Sequence, residues 1–289
     1  MEAKITTYLN NAKSAFSFVF DDGCYYDSTM DAYEILKEIY ESTGIKIKIT
    51  SAQTVNFISP TLKNMWEMLF EQGYFDLSGH SVSHCIGYNK DTDPQLLDAD
   101  ARETKEKLEK LYNTPVCTFV TPGGGNDTIG CEVLKKYYLG NRNGREEIND
   151  TYNMDLYDVG VFIARHVYDF EPYRDIIDKT VECGGWCVQV NHWLSKKEQD
   201  THHAQKYETF KPQCEHLAKY VQKNDIWVCS FNDMIKYIYI RDNSSVAIED
   251  GYIYLKSDLD KSIFDVPVTV MYNGKCYNVR LGEKCELDA

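Results

Sequence analysis

No two of the ten cysteines, at 24, 85, 117, 131, 183, 187, 214, 229, 276 and 285, have the Cys-x-x-Cys spacing. That argues against a zinc knuckle and against a dithiol redox motif. Cys117, Cys187 and Cys229 fall inside predicted strands, where a free thiol behaves as a small hydrophobe. Cys183 and Cys187 are the nearest pair, and a strand between them would hold them too far apart for a disulfide. Reduced, mostly buried thiols are therefore expected. No run approaches 18 apolar residues, so no membrane-spanning helix is expected. Met1-Glu2-Ala3-Lys4-Ile5 opens no apolar leader segment. The expected location is accordingly the cytoplasm, or outside it if a processed segment is missing. Basic residues are outnumbered: 31 Lys and Arg against 45 Asp and Glu leave a formal net charge of −14. Such a surface repels nucleic acid and anionic membranes or polymers, but not a neutral or cationic substrate. No Gly-x-Gly-x-x-Gly or phosphate loop follows a predicted strand. Gly123-Gly124-Gly125 is too short and lacks a lysine, so a nucleotide is not expected.

What is present is an ordinary globular balance, 43% hydrophobic and 26% charged over 289 residues, enough for one large domain or one domain plus a small module. The most informative stretch is Phe16-Ser17-Phe18-Val19-Phe20-Asp21-Asp22-Gly23. It reads as a buried strand that ends abruptly at two carboxylates. Gly23 permits a sharp exit, and a plain Asp-Asp-Gly turn is the simpler alternative.

Further along, apolar Ala32, Ile35, Leu36 and Ile39 predict a helix over about 28–43, with Gly44 as its stop. Ile45-Lys46-Ile47-Lys48-Ile49 alternates as a strand. Ser59-Pro60 and Asp93-Pro94 each read as an N-cap followed by proline at the first helical position. Predicted strands at 74–78, 116–120, 159–163, 186–190 and 226–228 alternate with helices, about seven times over 16–240. That is the pattern of a parallel α/β fold. Asp21-Asp22, His80, Pro122-Gly123, Arg165 and His192 each fall just after a strand; in a β/α barrel such positions converge on one mouth, and open doubly wound sheets share that rule, with ligands at a switch point. Residues 1–15 read as a polar, peripheral N-terminal extension. From 244 the pattern changes: Asp250-Gly251 and Asn273-Gly274 sit between alternating segments as hairpin turns. Residues 244–289 are expected to form a small β module packed on the main domain, 16–243.

His80 and His84 are four apart and, on a helical segment, would share a face. Histidines at this spacing are more often structural than ligating. Asp22, after another strand, would complete a set of two imidazoles and one carboxylate that leaves positions open for water and substrate. Zinc is the expected metal, and cobalt, iron or nickel suit the same donors.

These residues also carry a resemblance. Phe20-Asp21-Asp22-Gly23 resembles the first motif of the polysaccharide deacetylases, the NodB-homology or family 4 carbohydrate esterase group. His80-Ser81-Val82-Ser83-His84 is similar to its second motif, including the hydroxyl residue. Thr121-Pro122-Gly123 resembles the third motif and Val190-Asn191-His192 the last. The order is kept over residues 16–240. The resemblance implies a distorted (β/α)7 barrel and a metal-dependent deacetylase acting on an acetylated sugar or glycan, with an ester or a small amide as the alternative substrate. It implies Asp22, His80 and His84 as metal ligands and Asp21 as the general base for the metal's water. The Gly123 N–H would hold the oxyanion. His192 would be the general acid, its pKa raised by a nearby carboxylate. A non-catalytic carbohydrate-binding relative is disfavoured because base, ligands and acid are all present.

Two departures matter. The family often has an arginine two residues before the proline of the third motif, where this chain has Val120. Arg165, from another strand end, is the expected replacement as partner of Asp21; a surface salt bridge is the alternative. No clear fourth motif is found. Asp169, and more weakly Asp158, are candidate partners of His192. Tyr25, Tyr26, Tyr88 and Trp193 follow the motifs and either stack on a sugar or simply pack.

Overall fold

Every residue of Ser14–Phe20 is buried, which requires this strand, β2, to be covered on both faces. The computed structural model describes residues 3–125, 127–201 and 203–287; Met1 and Glu2, where the segment read above for a leader begins, lie outside it. A two-residue strand, β1 (Lys4–Ile5), precedes β2. Then come α1 (Tyr26–Thr43), β3 (Ile49–Gln53), α2 (Pro60–Glu71), β4 (Phe75–Gly79), α3 (Pro94–Tyr112) and β5 (Thr118–Val120). They are followed by α4 (Thr128–Leu134), β6 (Gly140–Glu146), β7 (Val159–Ile163), α5 (Phe170–Cys183) and β8 (Trp186–Asn191). β9 (Trp193–Ser195), β10 (Ala204–Lys206), α6 (Tyr207–Gln222), β11 (Ile226–Val228) and α7 (Phe231–Asp242) come next.

Strands β2 to β8 are parallel neighbours in chain order, and β8 returns to β2 in register from Ala15↔Trp186 to Phe20↔Asn191. The sheet is therefore a closed (β/α)7 barrel. Side chains alternate along β2. Phe16, Phe18 and Phe20 pack outward against apolar residues of α1, α2 and α6, while Ala15 and Val19 pack inward with Val120, Val188 and Phe231. The same parity carries Asp21, next after Phe20, onto the interior side.

The barrel has seven strands as expected, but one of them is not a strand the apolar pattern predicts. β6 is Gly-Asn-Arg-Asn-Gly-Arg-Glu, with no apolar side chain, yet its first four residues are buried. Its buried Asn141 is bonded inside: Oδ1 accepts from Thr121 Oγ1 at 3.0 Å, and Nδ2 donates to Tyr157 O at 3.1 Å. Conversely, β11 lies outside the closed ring and pairs only with Ser14–Phe16, on the edge of β2 that takes β3 at Phe18–Phe20. The strand expected at 45–49 starts instead at Ile49. Its polar residues are buried in bonded pairs, such as Thr50 Oγ1 donating to Asp76 Oδ1 at 2.7 Å, and this hides the strand from a hydrophobicity pattern.

Residues 4–12 are not peripheral. Lys4 and Ile5 pair with Met271 and Val270, and Tyr8 is buried with its Oη donating to Gly184 O at 3.0 Å. The chain ends in β12 (Ser245–Glu249), β13 (Tyr252–Lys256), β14 (Val268–Tyr272), β15 (Lys275–Val279) and β16 (Lys284–Glu286). These make two antiparallel three-stranded sheets, β12-β13-β16 and β1-β14-β15. Asp250-Gly251 and Asn273-Gly274 turn the hairpins with positive φ at both positions, as a type I′ turn requires. Val268, Val270 and Val279 share a core with Tyr237 and Ile240 of α7. Cys117, Cys187 and Cys229 are free thiols and buried. Among the described residues no helix is long and apolar enough to cross a membrane.

Candidate metal centre and catalytic site

The turn after β2 builds half of the site. Asp22 and Gly23 both have φ of +71°, so the chain reverses within two residues and the adjacent carboxylates point to different places. A β-carbon on Gly23 would lie 2.7 Å from Gln53 Cγ, so the turn closes against β3 only with glycine there. Gly23 O accepts from Trp66 Nε1 at 2.9 Å.

The second half is the loop after β4. Residues 80–84 are not helical. Ser81 and His84 have φ of +70° and +61°, and the Ser81 hydroxyl accepts from the backbone N–H groups of Ser83 and His84 at 3.2 and 2.9 Å. The two histidines therefore meet through a tight hydroxyl-stapled turn, with ring centroids 4.9 Å apart. The segment after β3 ties both halves together. Thr54 N donates to Asp22 O at 3.2 Å, Thr54 Oγ1 to His80 O at 2.9 Å, and Val55 N to Ser81 O at 3.2 Å. Replacing Ser81 with alanine removes the acceptor that folds this turn. We expect a loss of about 1 kcal/mol in unfolding free energy and weaker metal binding, read by denaturant melts and a metal titration.

Asp22 Oδ1 lies 3.6 Å from His80 Nε2 and 3.7 Å from His84 Nε2. The ligand atoms of Asp22, His80 and His84 all lie within 4.8 Å of one another. Donors around a tetrahedral ion at 2.0–2.1 Å stand about 3.3 Å apart. His80 Nδ1 faces Val120 O at 2.7 Å; a carbonyl can only accept, so Nδ1 carries the proton and Nε2 presents a lone pair. That Nε2 is buried and has no hydrogen-bond partner. Burial, opposed in part by the Asp21 carboxylate, pushes the His80 imidazole below its usual pKa and keeps it neutral. A neutral buried imidazole with a vacant lone pair beside a carboxylate and a second imidazole fits a divalent cation. These residues can hold one.

Asp21 is buried beside this cluster. Its Oδ1 accepts from Arg142 Nη2, and its Oδ2 lies 4.0 Å from His192 Nε2. Burial alone would raise its pKa; the opposing charges, Arg142 first among them, hold it below the usual carboxylate value. The expected partner, Arg165, is elsewhere: it pairs with Glu146 at 3.3 Å on the surface. The correction follows from β6. Strand alternation buries Arg142 inside the barrel, whereas Arg165 follows the end of β7 and remains partly exposed.

Arg142 was not legible from hydrophobicity, but a signal existed. The interval between the strands predicted at 116–120 and 159–163 is uncommonly long for a single helix and its two loops. His192 is one-fifth exposed, and the carboxylate nearest to it is Asp21. Asp169 pairs instead with Lys206 at 2.6 Å, and Asp158 bonds Asn143 and Arg145. Gly123 lies in an exposed 3-10 turn with φ of +67°. Next to it, Gly124 packs on Gly144 of β6 so closely that a β-carbon would sit 2.7 Å from Gly144 Cα. The third motif is thus seated against the strand that carries Arg142. Tyr25 Oη donates to Asp22 Oδ2 at 3.1 Å, and its ring lies on Trp193 with centroids 4.7 Å apart.

The parallel β/α barrel thus carries, at one mouth, a two-histidine, one-carboxylate cluster and a buried Asp–Arg pair. The chain has the polysaccharide deacetylase fold, that of the NodB-homology or family 4 carbohydrate esterase group. A candidate polysaccharide deacetylase from Mycobacterium smegmatis superposes with TM-score 0.57 at 11% identity, over 84% of this chain and 96% of that one. A family 4 acetyl xylan esterase from Clostridium thermocellum, in complex with a cobalt ion, gives 0.51 at 14% identity, over 76% and 89%. The Xyl-CE4 domain of a multidomain xylanase from the hindgut metagenome of Trinervitermes trinervoides gives 0.50 at 10% identity, over 77% and 90%. No family model and no curated protein matches the chain.

Proposed function

We propose that this protein is a metal-dependent hydrolase that removes acetyl groups from an N-acetylated sugar or glycan. The observation that carries the reading is the buried, unpartnered His80 Nε2. It stands beside Asp22 and His84, next to an Asp21 held between Arg142 and His192. The likeness of fold to glycan-directed deacetylases and esterases supports the substrate class. Zinc is the metal we assign first, with cobalt, iron and nickel compatible with the same donors. A divalent cation held there by Asp22, His80 and His84 would supply Lewis acidity toward an acyl carbonyl and toward water near neutral pH.

The chain's own groups do the rest. Asp21 Oδ2 takes the proton from water as general base, while Arg142 keeps Oδ1 occupied and the carboxyl ionised. The Gly123 N–H donates to the developing oxyanion. His192 protonates the leaving amine or alcohol. In this reading residues 16–243 are the catalytic domain, 1–15 an N-terminal extension, and 244–289 a small β module packed on it.

Stripping the protein with a chelator is expected to abolish hydrolysis, and reloading with zinc to restore it. Metal analysis finding no stoichiometric transition metal after reconstitution would count against the whole account. Chitooligosaccharide, acetylated xylan and a cyclic ureide, each assayed with added zinc, separate amide deacetylation from ester hydrolysis and from small-amide hydrolysis. The acetyl xylan esterase among the similar structures makes the ester the second reading.

A further inference from the structure

Asp22 shows a different neighbour to each of its two oxygens. Oδ1 faces His80 Nε2 and His84 Nε2 at 3.6 and 3.7 Å, whereas Oδ2 accepts from Tyr25 Oη at 3.1 Å. A carboxylate free to turn can bind a cation through one oxygen or both. Here a phenol occupies the oxygen that faces away from the histidines. The phenol is itself held. Its ring lies on Trp193, with centroids 4.7 Å apart and planes 36° from each other. Trp193 Nε1 donates to Asp200 Oδ2 at 3.2 Å, and Ser195 Oγ donates to the same oxygen at 2.7 Å. Asp22 also sits at φ +71°, a region L residues seldom adopt, so its orientation depends on such outside contacts.

We propose that Tyr25 is a positioning residue: its hydroxyl, braced on Trp193, fixes Asp22 as a one-oxygen ligand and thereby sets the metal affinity of the Asp22–His80–His84 site. The inference rests on the metal reading of that site. Hydrogen bonds to a ligating group typically change metal affinity 10–100-fold. It also separates Tyr25 from a mere sugar-stacking role, because its hydroxyl and its ring both have partners inside the protein.

The test is a cobalt titration of the metal-free full-length chain, wild type and Tyr25→Phe, against a competing chelator dye, with the visible absorption band recorded. Tyr25→Phe keeps the ring and its contact with Trp193. It is expected to bind Co2+ about 10–100-fold more weakly at unchanged stoichiometry. Its band should also change, because Asp22 Oδ2 becomes available as a second donor. Wild-type affinity and an unchanged band in Tyr25→Phe would overturn the proposal and leave the metal site standing. Absence of cobalt binding by the wild type would overturn both. Should Tyr25→Phe fail to fold, Trp193→Ala decides: weaker binding supports the brace, and unaltered binding overturns it.

Discussion

Asp21→Asn is expected to lower kcat by about 10²–10⁴-fold while leaving a stoichiometric metal bound. The two aspartates are adjacent in sequence but not in surroundings. Asp21 continues the inward parity of β2 and lies against Arg142 and His192, whereas Asp22, at φ +71°, turns toward His80 and His84. Asparagine at 21 keeps the shape and an oxygen for Arg142, but it cannot take a proton at the reacting centre. Asp22→Asn should do the reverse and lose metal first. Metal analysis beside kinetics on both variants checks the assignment. Metal loss in Asp21→Asn with retention in Asp22→Asn would mean the roles are exchanged.

The second large effect is expected from Arg142→Met. Both members of the Arg142–Asp21 pair are buried, and breaking such a pair leaves an unpaired buried charge, typically at about 3–5 kcal/mol of stability. Burial opposes ionisation of Asp21, and the opposing charges, Arg142 first among them, outweigh it, so the folded pKa lies below the unfolded value. The pair's contribution is thus fully present above the unfolded value of about 4. It is lost as pH falls through the lower folded value. Without the guanidinium the largest influence opposing burial is gone, so the acid limb of kcat/KM should move to higher pH. Arg142→Lys should restore part of the activity, because a point charge replaces the fork. Arg165→Ala removes only an exposed pair with Glu146 and should stay within about 1 kcal/mol of wild type in stability. Denaturant melts and pH–rate profiles of the three variants measure both effects. A wild-type profile in Arg142→Met would remove Arg142 from the site.

Much of the architecture was legible because it is written in local patterns. The alternation of strands and helices, the Ser59 and Asp93 caps and the two I′ turns depend on neighbours within a few residues. The candidate ligand set was legible for the same reason: Asp22 lies just past the end of β2 and His80 directly follows β4, with His84 in the same turn, and parallel strands of a barrel bring those ends together. β6 was not legible. A strand buried on both faces normally announces itself with apolar residues, but β6 faces bonded polar partners and the Gly123-Gly124 turn. Its stability comes from groups far away in sequence.

The sequence by itself determined the parallel α/β alternation and set Asp22 and the His80–His84 pair after strands, since that needs only the chain's own periodicity; the barrel and the candidate base and acid came from the resemblance of its motifs. Only the tertiary structure decided which cation faces Asp21 and which hydroxyl faces Asp22. Arg142 reaches Asp21 across 121 positions, because strand closure, not sequence proximity, brings β6 beside the mouth. Tyr25 is three residues from Asp22, but the positive-φ turn between them is what aims its hydroxyl at the free oxygen.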